Sequence, residues 1–268
     1  MLVKLQMDFS SKNIGFALSG GGSKGIAHAG ALQFLKEQKI SPSVMSGSSA
    51  GAIIAALYSV GKTPEEILDF FQSIYFFHWK HFTLKKPGLI DSEAFKSYFE
   101  KVFGKKTIGD LPIPIKITAT DLVSGKLKIF NEKTLVTDAV LASASFPGML
   151  SPYVLNNKMY SDGGILNHFP TDLLQGDCDH IIGIYVSPIH NVEAKDLNSI
   201  KSVTTRSFEL LTARGNYQKF SLCDWVIEPK ELANFSTFET SKTKMKQIFE
   251  IGYQEAKKTF EELKGPKS

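Results

Sequence analysis

Two short apolar strands each run straight into a helix through a turn of small residues, both within the first sixty positions. The first is Ile14-Gly15-Phe16-Ala17-Leu18-Ser19, followed by Gly20-Gly21-Gly22-Ser23-Lys24-Gly25. The second is Ser43-Val44-Met45-Ser46, followed by Gly47-Ser48-Ser49-Ala50-Gly51. Strand, helix and strand in so few residues commit the chain to an α/β architecture, a mostly parallel sheet covered by helices. The remainder keeps the same alternation.

The spacing predicts a helix over 24–38, a small-residue helix from Ser49 to about Val60, and a third that opens on a capping box, Thr63-Pro64-Glu65-Glu66. This third helix is expected to run to about Phe82. Helices at 92–103, 137–144, 198–220 and 240–263 alternate with strands at 113–120, 126–131, 181–187 and 224–228; residues 152–160 read as strand or loop. No repeat, linker or compositional break divides the chain. One domain over 1–268 is expected, with the motifs in a core at about 14–174 and scaffold helices and a strand at about 175–268.

Composition excludes several classes. With 43% hydrophobic and 22% charged residues in 268, the chain can bury its own core. Cys178 and Cys223 form no CxxC pair, which argues against a zinc site or a disulfide scaffold and for a reducing compartment. The net charge of +4 is too mild for nucleic acid, and Arg206 and Arg214 are the only arginines among 31 basic residues. The first thirteen residues lack an apolar core, and no apolar run approaches ~18 residues. A cytoplasmic protein is expected, with any membrane contact peripheral.

The 20–25 loop fits GxGxxG, but no carboxylate ends the second strand to hold a ribose. Gly25 is followed by Ile26-Ala27 rather than Lys-Ser/Thr, so it is not a phosphate-binding P-loop either. What remains is a row of backbone N–H groups at a helix N-terminus, suited to a developing oxyanion. Gly47-Ser48-Ser49-Ala50-Gly51 fits GxSxG between strand and helix, the setting of a nucleophile elbow. It would expose Ser49, with the Ala50 N–H as another oxyanion donor. Each motif alone also describes an ordinary tight turn; their succession is what gives them weight.

Ser49 needs a base. His28, His78, His81, His180 and His190 read as packed or surface side chains, and His168 lies in no distinctive turn of its own. Asp162, followed by Gly163 and Gly164, lies in a glycine-permitted turn and could face a cleft, where burial would raise its pKa from ~3.9.

Taken together, GGGSKG at 20–25, GSSAG at 47–51 and DGG at 162–164 resemble the patatin-like phospholipase family. The continuation Ile26 to Leu32, the run Ala142-Ser143-Ala144-Ser145-Phe146-Pro147, and Asn167 with Pro170 resemble it too. The resemblance implies a three-layer α/β/α sandwich related to acyl-carrier transacylases, and a Ser49–Asp162 dyad in place of a triad. It implies an oxyanion hole in loop 20–25, with Lys24 anchoring that loop. It also implies calcium-independent hydrolysis of lipid or lysolipid esters, with no cofactor and no metal. An acyltransferase using the same dyad and a lipid-binding regulator remain open as alternatives. So does the oligomeric state.

Phe70, Phe71, Tyr75, Phe76, Phe77, Trp79 and Phe82 are too many aromatics for one buried helical stripe. Lys80, Lys85 and Lys86 accompany them. The 70–86 segment is therefore expected either to pack and dimerise or to cap the acyl channel and touch a membrane.

Overall fold

The computed structural model describes residues 13–74, 86–213 and 215–264. Among these, β1 (Ile14–Leu18), β2 (Val44–Ser48), β3 (Ile115–Asp121), β4 (Lys126–Ile129), β5 (Tyr153–Leu155), β6 (Lys158–Asp162), β7 (His180–Ile184) and β8 (Trp225–Ile227) form one sheet. The order is β5-β6-β3-β2-β1-β7-β8, with β4 paired to β3. β1, β2, β3, β7 and β8 pair in parallel, while β4, β5 and β6 form the antiparallel edge.

The helices are α1 (Ile26–Glu37), α2 (Ala50–Ser59), α3 (Pro64–Ser73), α4 (Lys96–Phe103), α5 (Val136–Ser143), α6 (Gly164–Asn167), α7 (Ile200–Ala213), α8 (Asn216–Lys219) and α9 (Lys242–Lys264). β1 is buried along its whole length, as a strand covered on both faces must be. Successive side chains point to opposite faces. Ile14, Phe16 and Leu18 accordingly join a large core with Leu32 of α1, Ile54 of α2, Val140 of α5 and Ile248 of α9. Ala17 joins a smaller core with Phe169, Leu174 and Tyr185, closed by Phe220 next to α8. The result is a three-layer α/β/α sandwich. Among the described residues no helix is long and apolar enough to cross a membrane.

The capping box is formed: the Glu66 N–H donates to Thr63 Oγ1 at 3.2 Å, and the Thr63 N–H donates to Glu66 Oε2 at 2.8 Å. Three expected boundaries need correction. α3 ends at Ser73, where Ile74 turns extended at φ −82° and ψ 115°; the rest of the expected run to Phe82 lies outside the described residues. The helix expected over 198–220 is broken near Gly215 into α7 and α8. β2 runs on to Ser48, so Ser49 alone separates it from α2. Of the aromatic and lysine segment expected over 70–86, residues 75–85, including Trp79 and Phe82, lie outside the described residues.

Candidate active site

The sheet register brings Ser49 and Asp162 level. Ser48, the last residue of β2, pairs with Thr118 of β3. The next β3 residue, Ala119, pairs with Asp162 at the end of β6. Ser49 steps off β2 at that height with φ 54° and ψ −123°, a strained conformation for a residue with a Cβ. Close packing sustains it: a Cβ on Gly51 would lie 2.3 Å from the Leu18 carbonyl oxygen, so only glycine lets α2 approach β1 here. Gly47 sits within β2, paired with Leu18 and Ile117. Ser49 Oγ donates to Asp162 Oδ2 at 2.6 Å.

Asp162 is buried, 1% exposed, and no cation pairs with it among the described residues. Burial pushes its pKa up to about 6, against the opposing pull of the Ser49 hydroxyl and the Gly164 N–H. The Gly164 N–H donates to Oδ1 at 2.7 Å, and the Gly163 N–H donates to the Ser143 carbonyl at 3.1 Å. The carboxylate is thus oriented by a backbone donor on one oxygen and by the serine on the other. No histidine among the described residues hydrogen-bonds Ser49 or Asp162. His28 Nε2 donates to the Ser19 carbonyl at 2.8 Å, and burial lowers its pKa to about 4. It is a neutral structural side chain.

The 20–25 loop divides its N–H groups between scaffold and cavity. Gly20 donates to the His168 carbonyl at 2.9 Å, Ser23 to the Thr237 carbonyl at 2.8 Å, and Lys24 to the Gly21 carbonyl at 3.2 Å. Those three are committed and cannot also hold an oxyanion, which narrows the expected set. Gly25 leads into α1. The N–H groups of Gly21 and Gly22 have no acceptor among the described residues, and both residues line the cavity beside Ser49 and Ala50. Ala50 is the first residue of α2, so its N–H has no partner within the helix. Gly22 has φ 57°, a left-handed conformation that glycine tolerates. The side chain of Lys24 is buried, and its Nζ lies 3.5 Å from Glu209 Oε1 on α7. It ties the loop to a helix 185 residues away in sequence.

The family model for patatin-like phospholipases matches residues 16–174, well over half of the 268 residues. The chain belongs to the patatin-like phospholipase family. An uncharacterized NTE family protein of Mycobacterium tuberculosis is 28% identical over 227 residues, covering 76% of this chain and 60% of that relative. A patatin-like phospholipase domain-containing protein of Caenorhabditis elegans is 27% identical over 172 residues, covering 60% of this chain and 12% of the relative. This patatin-like chain therefore spans only part of the curated relatives it matches. Among solved structures, VipD from Legionella pneumophila superposes with a TM-score of 0.54 at 15% identity, covering 92% of this chain and 66% of VipD, a likeness of fold.

Two features of this patatin-like site were not assigned roles from sequence. The first is Ser143, the last residue of α5. Its Oγ accepts the Ser49 N–H at 2.8 Å, and its carbonyl accepts the Gly163 N–H. Two residues on, the Ser145 carbonyl accepts the Asp162 N–H at 3.0 Å. One short segment therefore braces both halves of the dyad. Ser143→Ala should leave the Ser49 N–H without its buried partner, a loss of about 1–3 kcal/mol. The expected result is roughly tenfold slower labelling by a fluorophosphonate in a protein that still folds. Unchanged labelling would show that the brace is dispensable.

The second is His168, buried against the loop. A Cβ on Gly20 would lie 2.6 Å from its ring. Burial first, then the charges of Lys24 and Lys219, lower its pKa to about 3, so the ring is neutral.

The dyad opens on an apolar cavity walled by Phe71, Phe95, Phe99, Phe146, Phe208 and Phe238, among others. Phe146 stacks edge-on against both Phe208 and Phe238, at centroid distances of 4.5 and 5.4 Å. Phe208 belongs to α7 and Phe238 to the segment before α9. The C-terminal third, for which the sequence offered only scaffold, thus builds one wall of the cavity.

Proposed function

We propose that this chain hydrolyses carboxylic esters of lipids, as a phospholipase A or lysophospholipase, through an acyl-enzyme on Ser49. The observation that carries this reading is the 2.6 Å hydrogen bond from Ser49 Oγ to a buried, cation-free carboxylate, Asp162, at the head of an aromatic-walled cavity. Asp162 takes the serine proton as Oγ attacks the ester carbonyl. The N–H groups of Gly21, Gly22 and Ala50 receive the negative charge that develops on the carbonyl oxygen, donors each worth ~10²–10³ in rate in comparable sites. The protonated Asp162 returns its proton to the departing alcohol. Water then attacks the acyl-enzyme, gives its proton to Asp162, and the fatty acid leaves as Ser49 recovers its hydrogen. The serine hydroxyl, the carboxylate and the backbone donors supply every proton and charge the cycle needs, so the reading is calcium-independent.

The raised pKa sets the pH profile. Asp162 acts as a base only when ionised, so kcat/KM for a short soluble ester should climb as pH rises through about 6 and then level off. A profile that climbs instead near pH 4, or falls across pH 5–7, would remove Asp162 as the titrating base. Hydrolysis of a panel of phospholipids, lysophospholipids and short esters, run with and without chelator, tests the substrate class and the calcium independence together.

A further inference from the structure

His168 is a buried titratable side chain that the proposed cycle does not use. It caps the C-terminal end of α6, the short helix that follows the Asp162 turn, and is 7% exposed. Among the described residues neither of its ring nitrogens has a hydrogen-bond partner. The Gly20 carbonyl lies beside the ring, but it already accepts from Ser19 Oγ at 3.0 Å and from Ser187 Oγ at 2.9 Å, which fills both of its lone pairs. Buried polar groups are almost always paired, and an unpaired one costs stability. An imidazole kept in such a place points to a partner that arrives with the reaction.

The ring is placed to meet one. Its Nδ1–Cε1 edge faces the dyad across two glycines. A Cβ on Gly164 would lie 2.7 Å from Nδ1 and 2.9 Å from Asp162 Oδ1. A Cβ on Gly20 would lie 2.6 Å from Cε1, 2.8 Å from Nδ1 and 3.4 Å from Ser49 Cβ. The imidazole therefore sits on the side of the carboxylate that Ser49 leaves open, since the serine bonds Oδ2. It also lines the same cavity as Ser49 and Asp162. The nitrogens are closed off in the free enzyme, but χ2 of histidine is a soft, roughly two-fold torsion, and a turn about it can carry a nitrogen to the cavity side. Burial and the charges of Lys24 and Lys219 keep the ring neutral. It then carries one N–H and one bare nitrogen, and the bare nitrogen accepts a hydrogen bond.

We propose that the bare nitrogen of His168 holds the water that releases the acyl group from Ser49, and so favours water over an alcohol as the acyl acceptor. The inference rests on the ester-hydrolase reading of the dyad. In deacylation one water hydrogen goes to Asp162 while the water oxygen bonds to the acyl carbon. The bond from that carbon to Ser49 Oγ then breaks, and the proton on Asp162 passes to Oγ. The second water hydrogen stays on its oxygen and points to His168, which gains and loses no proton. An alcohol carries an alkyl group in place of that second hydrogen and cannot make the contact. The alcohol that departs in acylation cannot make it either. His168 thus acts on one half of the cycle and on one kind of acceptor.

His168→Phe keeps a ring of similar size and removes both nitrogens. With a p-nitrophenyl ester, first-turnover release of p-nitrophenol and fluorophosphonate labelling of Ser49 should stay within about twofold of wild type. Decay of the acyl-enzyme, followed by intact mass, should slow about tenfold, the scale of one lost hydrogen bond. In mixtures of water and methanol, the ratio of methyl ester to free acid should rise by a similar factor. His168→Gln, whose carbonyl oxygen again accepts a hydrogen, should restore both the decay and the product ratio. His168→Leu takes the place of the phenylalanine variant if that variant does not fold.

An acyl-enzyme that decays at the wild-type rate in His168→Phe, or an unchanged product ratio, would overturn the proposal. So would a glutamine variant no better than the phenylalanine one. Labelling, first-turnover release and decay slowed by one common factor would reduce His168 to packing between Gly20 and Gly164. Absence of any adduct on Ser49 in the wild type would sink the dyad reading itself, and this inference with it.

Discussion

Ser49→Ala should abolish covalent labelling by a fluorophosphonate and reduce ester hydrolysis to background, with the fold intact. Ser49 is the residue whose Oγ meets the buried carboxylate at 2.6 Å, and it stands alone between β2 and α2. Other buried serines are nearby but differently employed. Ser143 Oγ accepts the Ser49 N–H, Ser145 Oγ donates to the Leu141 carbonyl, and Ser161 Oγ donates to the Ser145 carbonyl. Of these four serines, only Ser49 has a carboxylate as its acceptor. Mass spectrometry of the labelled protein should place the adduct on Ser49; label on Ser143, Ser145 or Ser161, or label that survives in Ser49→Ala, would refute the assignment. A small gain in Tm for the alanine variant is not expected, because the strained φ of 54° belongs to the backbone and remains.

Asp162→Asn should cost at least ~10² in kcat/KM and, above neutral pH, stabilise the protein. Both effects have one cause. Asparagine can accept the Gly164 N–H with its oxygen and donate to Ser49 with its amide, so the shape of the site is kept while the proton acceptor is lost. The folded protein holds the Asp162 proton more tightly than the unfolded chain, about 6 against the usual 3.8. A raised carboxylate favours the folded state fully below about pH 3.8, and that benefit is lost as pH rises through about 6. The wild type should therefore lose stability relative to Asp162→Asn between pH 4 and pH 7, by an amount of order 2–3 kcal/mol. Melting curves of the two proteins across that range provide the check. A difference in Tm that does not vary with pH would mean that Asp162 is not a buried, cation-free carboxylate in solution. A histidine variant as damaging as Asp162→Asn in a folded protein would turn the dyad into a triad.

The parts of the site that were legible in the sequence are those set by local geometry. Gly20 to Gly25 and Gly47 to Gly51 announce themselves because a strand that turns into a helix within a few residues needs backbone that side chains would obstruct. Asp162 was visible through Gly163 and Gly164 for the same reason. The missing parts are long-range. Nothing near Ser143 says that its hydroxyl meets a backbone 94 residues earlier, and nothing near Glu209 says that it faces Lys24. The division of the loop N–H groups was also hidden. Three glycines in a row promise free donors, but the acceptors that occupy Gly20 and Ser23 come from His168 and Thr237. The α7 wall was hidden for the same reason: nothing in the sequence around Phe208 says that its ring meets Phe146. In the fold, continuous burial made β1 easy to place. α3 was overextended because an aromatic-rich continuation carries no signal for the extended residue at Ile74.

The brace formed by Ser143 and Ser145 makes the dyad a single mechanical unit. Nucleophile and base come from strands that are not neighbours in the sheet, so any shear between β2 and β6 would separate Oγ from Oδ2. Hydrogen bonds from Ser49, Asp162 and Gly163 to one three-residue stretch at the end of α5 resist that shear directly. The distance on which proton transfer depends is therefore fixed by the end of α5 and not by the walls of the cavity.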